Sequence, residues 1–286
     1  MPRRQLGRYL RNGREECGLT LQQAAALLER SASTLQRIER GMVAHLREGD
    51  IEALCKMYDF DDDHAAAMRV LGAQGNESNW WYEYGDLLPA NFDFYVGLEA
   101  SAHRLTTYEP EFVPGLLQTA AYASALFHAG HPGDSTEEHA RRVQLRMRRQ
   151  ARITRKYRPA TLNVILRESV TYGVCGGAKV MAAQLRHLAD LGTRPNVSIQ
   201  VLPFSAGLPV GEPIGPFVVL EFGRDGSGRA IDPPVAYAEC FTGGLYFENL
   251  DTVERYYGVY EDLQRLALDA AASRHLLRQR AKEYAS

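Results

Sequence analysis

Cysteine is scarce: Cys17, Cys55, Cys175 and Cys240 are the only four in 286 residues, and no two of them make a CxxC. That spacing argues against both a zinc site and a disulfide framework, and the four read as buried small hydrophobes in a reducing compartment. Long apolar runs are missing too. No stretch approaches the ~20 residues that cross a membrane, and the N-terminus MPRRQLGRYL is charged, so a cytoplasmic protein is expected. Net charge is only -2, so overall charge does not announce a polyanionic partner. Catalytic signatures are lacking as well: there is no G-x-S-x-G elbow, no HExxH, no phosphate-cradling glycine loop followed by lysine, and no cysteine with a histidine nearby. GVCGGAK, residues 173–179, comes nearest to a phosphate loop but lacks the spacing to a Lys-Thr or Lys-Ser pair, and reads as a turn before a helix. No cofactor, no metal and no enzyme are expected. The rival enzyme reading rests on Glu168, Glu221 and Glu239, at or near strand ends where a pocket could gather carboxylates.

What is present is an uneven distribution of charge. Residues 1–47 hold nine arginines against four glutamates, a basic head on a near-neutral body. Inside it, GLTLQQAAALLERSASTLQRIERG (residues 18–41) spells two short helices with their boundaries. Thr20 and Gln23 form a capping box, Ser31 caps the second helix, and Gly41 stands where a left-handed stop is needed. Leu21, Ala24, Ala25 and Leu28 make one inward face, Leu35 and Ile38 the other, and Ala25 is small where the helices cross. The outer face of the second helix keeps Ala32, Ser33, Gln36, Arg37 and Arg40, with no acid among them. Arginine can bond guanine in two places, and serine or glutamine can reach base edges or phosphate. The candidate DNA-contacting set is Gln22, Ser31, Ala32, Ser33, Thr34, Gln36, Arg37, Arg40 and Arg47. Arg37 is the base reader, while Arg40 and Arg47 meet phosphate.

This pattern resembles the helix-turn-helix head of XRE-type transcriptional regulators, over about sixty residues. Two positions depart from that family: Leu21 stands where a glutamine is usual, and Glu29 where glycine is usual, which predicts a different backbone path in the turn. The resemblance also implies a bridge between Arg14 and Glu39. Around this pair a first helix is expected over residues 3–17 and a fourth from Leu46 to Tyr58. The acids Asp59, Asp61, Asp62 and Asp63 should cap a helix carrying Ala65 to Leu71.

GAQGNESN, residues 72–79, reads as a linker, which divides the chain into a DNA-binding domain, 1–72, and a C-terminal domain, 80–286. The C-terminal part opens with Trp80, Trp81, Tyr82, Tyr84, Phe92, Phe94 and Tyr95, aromatics that either build a core or line a cavity. WWYEY, YVGLEASA and VPGLLQTAAYA follow in that order, with MAAQLRHL, VSIQVLPF and GPFVVLEF further on. The series resembles the C-terminal domain of WhiJ-like actinomycete regulators. That resemblance implies a developmental or secondary-metabolism regulator and a small BldB-like protein as a possible partner. The loop SAGLPVGEPIGPF lacks a histidine the family often has, so no role for it carries over.

His128, His131 and His139 fit no common zinc spacing. Residues 141–158 carry nine basic residues and no acid, which suits a solvated helix face paired with acids elsewhere in a dimer, or a polyanion surface. From Pro159 the pattern alternates: TLNVILRES, VSIQVLPF, PFVVLEF, VAYAEC and LYFE read as strands, and AKVMAAQLRHLADL and the last two segments as helices. The expected class is α+β, an all-α head followed by a helical part, 80–158, and a strand-containing part, 159–286. The expected function is a sequence-specific regulator, dimeric on double-stranded operator DNA and controlled by a small ligand or protein. Trp80, Trp81 and Tyr84 are its candidate effector contacts, with Glu99 and Glu168 as polar anchors. The alternatives are a docking platform for a small protein and a DNA-tethered enzyme.

Overall fold

Helices α1 (Pro2–Glu16), α2 (Leu21–Leu27), α3 (Ala32–Glu39), α4 (Glu48–Met57) and α5 (Asp62–Asn76) form the head. The computed structural model describes residues 2–43, 45–76, 80–89, 92–224, 230 and 232–285, without the side chains of Gln74 and Tyr82. Leu6, Leu10, Ala24, Ala25, Leu35, Ile51 and Leu54 make one buried cluster in the head. Gly7 sets the distance between α1 and α3, because a Cβ there would stand 2.4 Å from the Glu39 carbonyl oxygen.

Four successive helices of the head end in the same motif, a 6→1 and a 5→2 backbone bond around a left-handed residue. After α1, Leu19 N–H reaches Arg14 O and Gly18 N–H reaches Glu15 O; after α3, Met42 pairs with Arg37 and Gly41 with Ile38. The ends of α2 and α4 repeat it through Arg30 to Ala25 with Glu29 to Ala26, and Phe60 to Cys55 with Asp59 to Lys56. Glycine fills the left-handed position at Gly18 and Gly41, but Glu29 (φ 54°) and Asp59 (φ 53°) fill it elsewhere. The turn therefore keeps the path that glycine would take. A Cβ crowded by the following carbonyl replaces the change of path expected from Glu29.

The glycines read as a linker do a different job. Residues 72–76 belong to α5, where a Cβ on Gly72 would lie 2.2 Å from Ile51 Cδ1 and one on Gly75 would lie 2.8 Å from Arg3 Cγ. Arg3 Nε donates to Gly75 O at 2.7 Å, and the Asn76 amide bonds Leu46 N–H and C=O at 3.0 and 2.6 Å. Here glycine permits close packing rather than flexibility, and residues 77–79 lie outside those described. The acid cluster acts as read, with Asp61 accepting from His64 N–H at 2.8 Å as α5 begins.

The chain divides into two compact units, Met1–Tyr82 and Glu83–Ser286. In the second, a mixed sheet has the order β3-β2-β1-β4-β5-β6, built from β1 (Arg104–Glu109), β2 (Thr161–Arg167), β3 (Val197–Leu202), β4 (Phe217–Glu221), β5 (Val235–Cys240) and β6 (Gly243–Phe247). β1, β2 and β3 are parallel, and β4, β5 and β6 add antiparallel neighbours on the other side of β1. The parallel pairs are joined through helices, as they must be. α7 (Ala120–Gly130), α8 (Thr136–Arg149) and α9 (Ala151–Thr154) lie between β1 and β2, and α10 (Ala178–Leu191) between β2 and β3. The α11 helix (Leu250–Leu266) covers one sheet face, with Val253, Tyr260 and Leu263 against Tyr108, Ile165, Phe217 and Val219. α12 (Ala270–Glu283) packs on α10 and beside β3.

The chain is thus α+β, a helical head followed by a mixed domain. The strands expected from residue 159 onward form, but of the four cysteines expected to be buried only Cys55 is, with Cys175 half-buried and Cys17 and Cys240 exposed. β1 lies inside the stretch expected to be helical and is the strand joining the parallel and antiparallel halves. Its sequence RLTTYE is buried at four consecutive positions, so the alternation that would betray a half-exposed strand is absent.

Candidate functional site

On α3 the caps and core contacts decide which side chains are left outside. Ser31 Oγ accepts from Thr34 N–H at 3.1 Å and lies 2.9 and 2.8 Å from the Ser33 and Thr34 hydroxyls, while Leu35 is buried. Ser33, Thr34, Gln36, Arg37 and Arg40 are exposed, as are Gln22 on α2 and Arg47 before α4. Arg37, Arg40 and Arg47 form no ion pair among the described residues, whereas their neighbour Arg30 is drawn to Asp50 at 3.1 Å. Ala32 departs from the outward set: it is half-buried and packs against the head core, because its spacing to the buried Leu35 and Glu39 places it on the inward side of α3. Ser31, although exposed, has its hydroxyl committed to the cap.

Beneath this face α3 is pinned by a buried ion pair. Arg14 Nε and Nη2 donate to the two Glu39 oxygens at 2.6 and 3.0 Å, and Nη1 donates to Leu19 O at 2.8 Å. The hydrogen bond to Glu39 is the main reason the Arg14 pKa is raised. The bridge implied by resemblance is present, and it fixes the rotation of α3 about its own axis. That rotation determines where Arg37 points.

The second unit contains a cavity of about 620 Å³ on the sheet face opposite α11. Leu105 and Thr107 of β1, Val218 of β4 and Tyr237 of β5 make its floor, with Thr107, Val218 and Tyr237 in one cross-strand row. α6 (Phe92–Ser101) contributes Phe92, Tyr95 and Glu99, and α8 contributes Arg146 and Arg149. Glu99 and Arg149 are buried and bidentate, both contacts 2.7 Å, with the guanidinium over the Phe92 and Tyr95 rings. Burial opposes the Arg149 charge, but the charge and hydrogen bonds of Glu99 outweigh it and raise the pKa. Among the described residues the Arg146 side chain hydrogen-bonds only the neutral Gln118 Oε1, at 2.8 Å, and lies over the Phe127 ring. Burial, with the like charge of Arg149 next, lowers it to about 10. Glu109, at the end of β1, has no hydrogen-bond or ion-pair partner among the described residues, and burial, then Glu239 and Glu111, push it up to about 8.

Residues 5–78 match the family described as a helix-turn-helix domain. Residues 92–279, two thirds of the chain, match a domain of unknown function, DUF5753. The chain belongs to the DUF5753 family. No curated protein and no solved structure matches it. A helix-turn-helix head on a DUF5753 domain makes a DNA-binding regulator, and no described helix is long and apolar enough to cross a membrane.

The DUF5753 match begins at Phe92, after Trp80, Trp81 and Tyr84, and within the second unit the candidate effector residues Tyr84, Glu99 and Glu168 are not gathered. Trp81 and Tyr84 are buried, and Trp80 is half-buried with its ring edge-on to Trp81. Glu99 lines the cavity but is occupied by Arg149. Glu168 accepts from Phe204 N–H at 2.8 Å, near Tyr172 and Arg280, and ties the end of β2 to the end of β3. The strand-end acids of the enzyme reading separate too. Glu221 accepts from the Tyr257 hydroxyl at 2.8 Å, and of the three only Glu239 lines the cavity. The basic run of α8 pairs within its own unit: Arg141 with Asp86, Arg142 with Asp134, Arg148 with Glu83 and Arg149 with Glu99. These four arginines therefore brace the second unit from inside one chain. Glu109 and Arg146 were missed by sequence reasoning. Glu109 is the acid that ends RLTTYE, and recognising that segment as a strand would have found it.

Proposed function

We propose that the protein is a sequence-specific transcriptional repressor of the XRE type with a WhiJ-like C-terminal domain. It binds operator DNA as a homodimer in the cytoplasm, at the nucleoid, and is not an enzyme. The observation that carries this reading is the outer face of α3: Ser33, Gln36, Arg37 and Arg40 exposed, both arginines without an acid, on a helix whose rotation is set by Leu35 and the Arg14–Glu39 pair. Unpaired guanidinium groups on a preset helix suit bidentate contact with guanine in the major groove. One small head makes too few contacts for useful discrimination over a genome, so two on a palindrome are favoured. Repression needs only occlusion of a promoter. The C-terminal domain receives the signal, from a small molecule or from a small BldB-like protein. A ligand can shift DNA affinity only through unequal affinity for two states. Selection of bound sequences from a random duplex pool by the full-length protein tests the reading. A palindromic consensus with two half-sites about one helical turn apart is expected, and enrichment of no sequence would overturn it.

A further inference from the structure

The cavity in the second unit has an imbalance that its own residues do not resolve. Of its two cations, Arg149 is neutralised by Glu99, and Arg146 is held by Gln118 and the Phe127 ring. Against them stand Glu109, Glu239 and Glu111, none with a side-chain partner among the described residues. Glu109 and Glu239 follow the register of β1, β4 and β5 onto one face, one row beyond the Thr107–Val218–Tyr237 row. Pro216, whose carbonyl accepts from Glu239 N–H, lies between their strands. Two further polar groups line the cavity without a partner. Thr107 is 3% exposed and Tyr95 7% exposed, and neither hydroxyl has a hydrogen bond among the described residues. Both oxygens open onto a cavity of ligand size, which leaves them available to a bound molecule. Around them the walls are aromatic, with Phe92 stacked on Tyr95 and Tyr95 against Tyr237, and Phe112 and Phe241 stand exposed near the mouth.

We infer that this cavity is the effector site of the C-terminal domain and that it takes an amphipathic organic cation, an amine on an aromatic or aliphatic body. The ammonium sits between Glu109 and Glu239, and the body lies along Leu105, Val218 and Tyr237 against Phe92. The inference deepens the regulatory reading above and rests on it for the word effector. Aromatic faces and carboxylates together favour a cation over a neutral or anionic isostere. A metal ion is a poorer fit, since no three His, Cys, Asp or Glu side chains converge as ligands among the described residues.

The charge on Glu109 makes the affinity depend on pH. The groups facing it are Glu111 beyond β1, Glu239, Tyr237 and Cys240 on β5, Arg146 and Arg149 on α8, Glu99 and Tyr95 on α6, and Tyr122 on α7. With Glu109 pushed up to about 8, an alkylammonium finds that carboxyl largely protonated at pH 6.5 and mostly ionised at pH 8.5. Calorimetry of the full-length protein with 4-phenylbutylamine, 4-phenylbutanol and 4-phenylbutyrate tests the inference. The amine should bind saturably, at least tenfold tighter than either isostere, and about tenfold tighter at pH 8.5 than at pH 6.5. Glu109→Gln should flatten that pH dependence and weaken the amine about tenfold; Glu239→Gln, at an exposed position, should weaken it with the fold intact. Failure of the amine to saturate, equal or tighter binding of the butyrate, or unchanged amine affinity in both variants would overturn the inference. DNA affinity measured on the same preparations separates the two claims: DNA binding without amine binding overturns the cavity assignment alone, and no DNA binding overturns the regulatory reading.

Discussion

Each unit of the chain is built around one buried arginine–glutamate pair, and the two pairs are supported differently. Glu39 in the head is served by Arg14 and approached by Arg11 at 3.6 Å, and Arg14 also donates to Leu19 O and Glu15. Among the described residues the Glu99 side chain hydrogen-bonds Arg149 alone, with the charge of Arg146 further off, and Arg149 has no second hydrogen-bonded group, only the flanking Phe92 and Tyr95 rings and the more distant charge of Glu239. Removing one member of a buried pair leaves the other as an uncompensated charge, so the cost depends on what else can serve the survivor. The head pair has reserves. The second pair does not.

The largest expected effect follows from that contrast. Glu99→Ala strands Arg149 beside the already lowered Arg146 and should destabilise the second unit by about 4 kcal/mol. Glu39→Ala should cost the head about 3 kcal/mol, because Arg14 retains Leu19 O and Glu15. Urea unfolding of the full-length variants, with amide exchange reporting α6 and α8 separately from α1 and α3, measures both. A Glu39→Ala loss equal to or larger than that of Glu99→Ala would break the comparison.

A smaller effect distinguishes the units by pH. The folded pKa of Glu109 is raised from the ordinary carboxylate range to about 8, so the folded state holds a proton that the unfolded state has released. The cost is absent below about pH 4, grows as pH rises through the unfolded and then the folded value, and is complete above pH 8. Glu109→Gln should therefore stabilise the second unit by about 2 kcal/mol at pH 8.5, less than the full linkage of that shift because the half-buried carboxyl is partly screened by solvent, and by nothing measurable at pH 4. A gain that is equal at both values would show that the carboxyl is not held in its neutral form.

The smallest effect lies in the head. Glu29 holds a left-handed backbone that glycine adopts freely, so Glu29→Gly should raise head stability by about 0.5–1 kcal/mol once the extra entropy of unfolded glycine is subtracted. Asp59→Gly should give less, since aspartate tolerates that conformation. Thermal unfolding of both variants measures this, and a fall in stability for Glu29→Gly would mean its side chain contributes more than its backbone costs.

The two units were also unequally legible in the sequence. The head was readable because its signals are local: Thr20 with Gln23, Ser31, Gly18 and Gly41 lie within one turn of the ends they mark. Reading stopped at Gly72 and Gly75, where glycine composition looks like a linker but α1 and α4 pack tightly. In the second unit β2 to β6 stood out as apolar or alternating runs, β4 among them although it too is buried at four consecutive positions, whereas RLTTYE of β1 has only Leu105 and Tyr108 as apolar residues and carries no such mark. Losing β1 hid Glu109, and with it the cavity, whose walls come from α6, α8, β1, β4 and β5 across about 150 residues. Glu99 and Arg149 are fifty positions apart, so neither charge told which one it would meet. Long-range pairing is the part of a fold that local chemistry states least.

The central claim is that α3 reads bases through Arg37 while Arg40 and Arg47 hold phosphate. Affinity of full-length wild type, Arg37→Ala and Arg40→Ala, each on the selected duplex and on a scrambled duplex across a salt series, tests it most directly. Arg37→Ala should lose about 1–3 kcal/mol on the selected duplex, little on the scrambled one, and relax preference at one base pair of each half-site. Arg40→Ala should weaken both duplexes alike and lower the salt slope by about one for each head bound. Equal loss on both duplexes for Arg37→Ala would contradict the account.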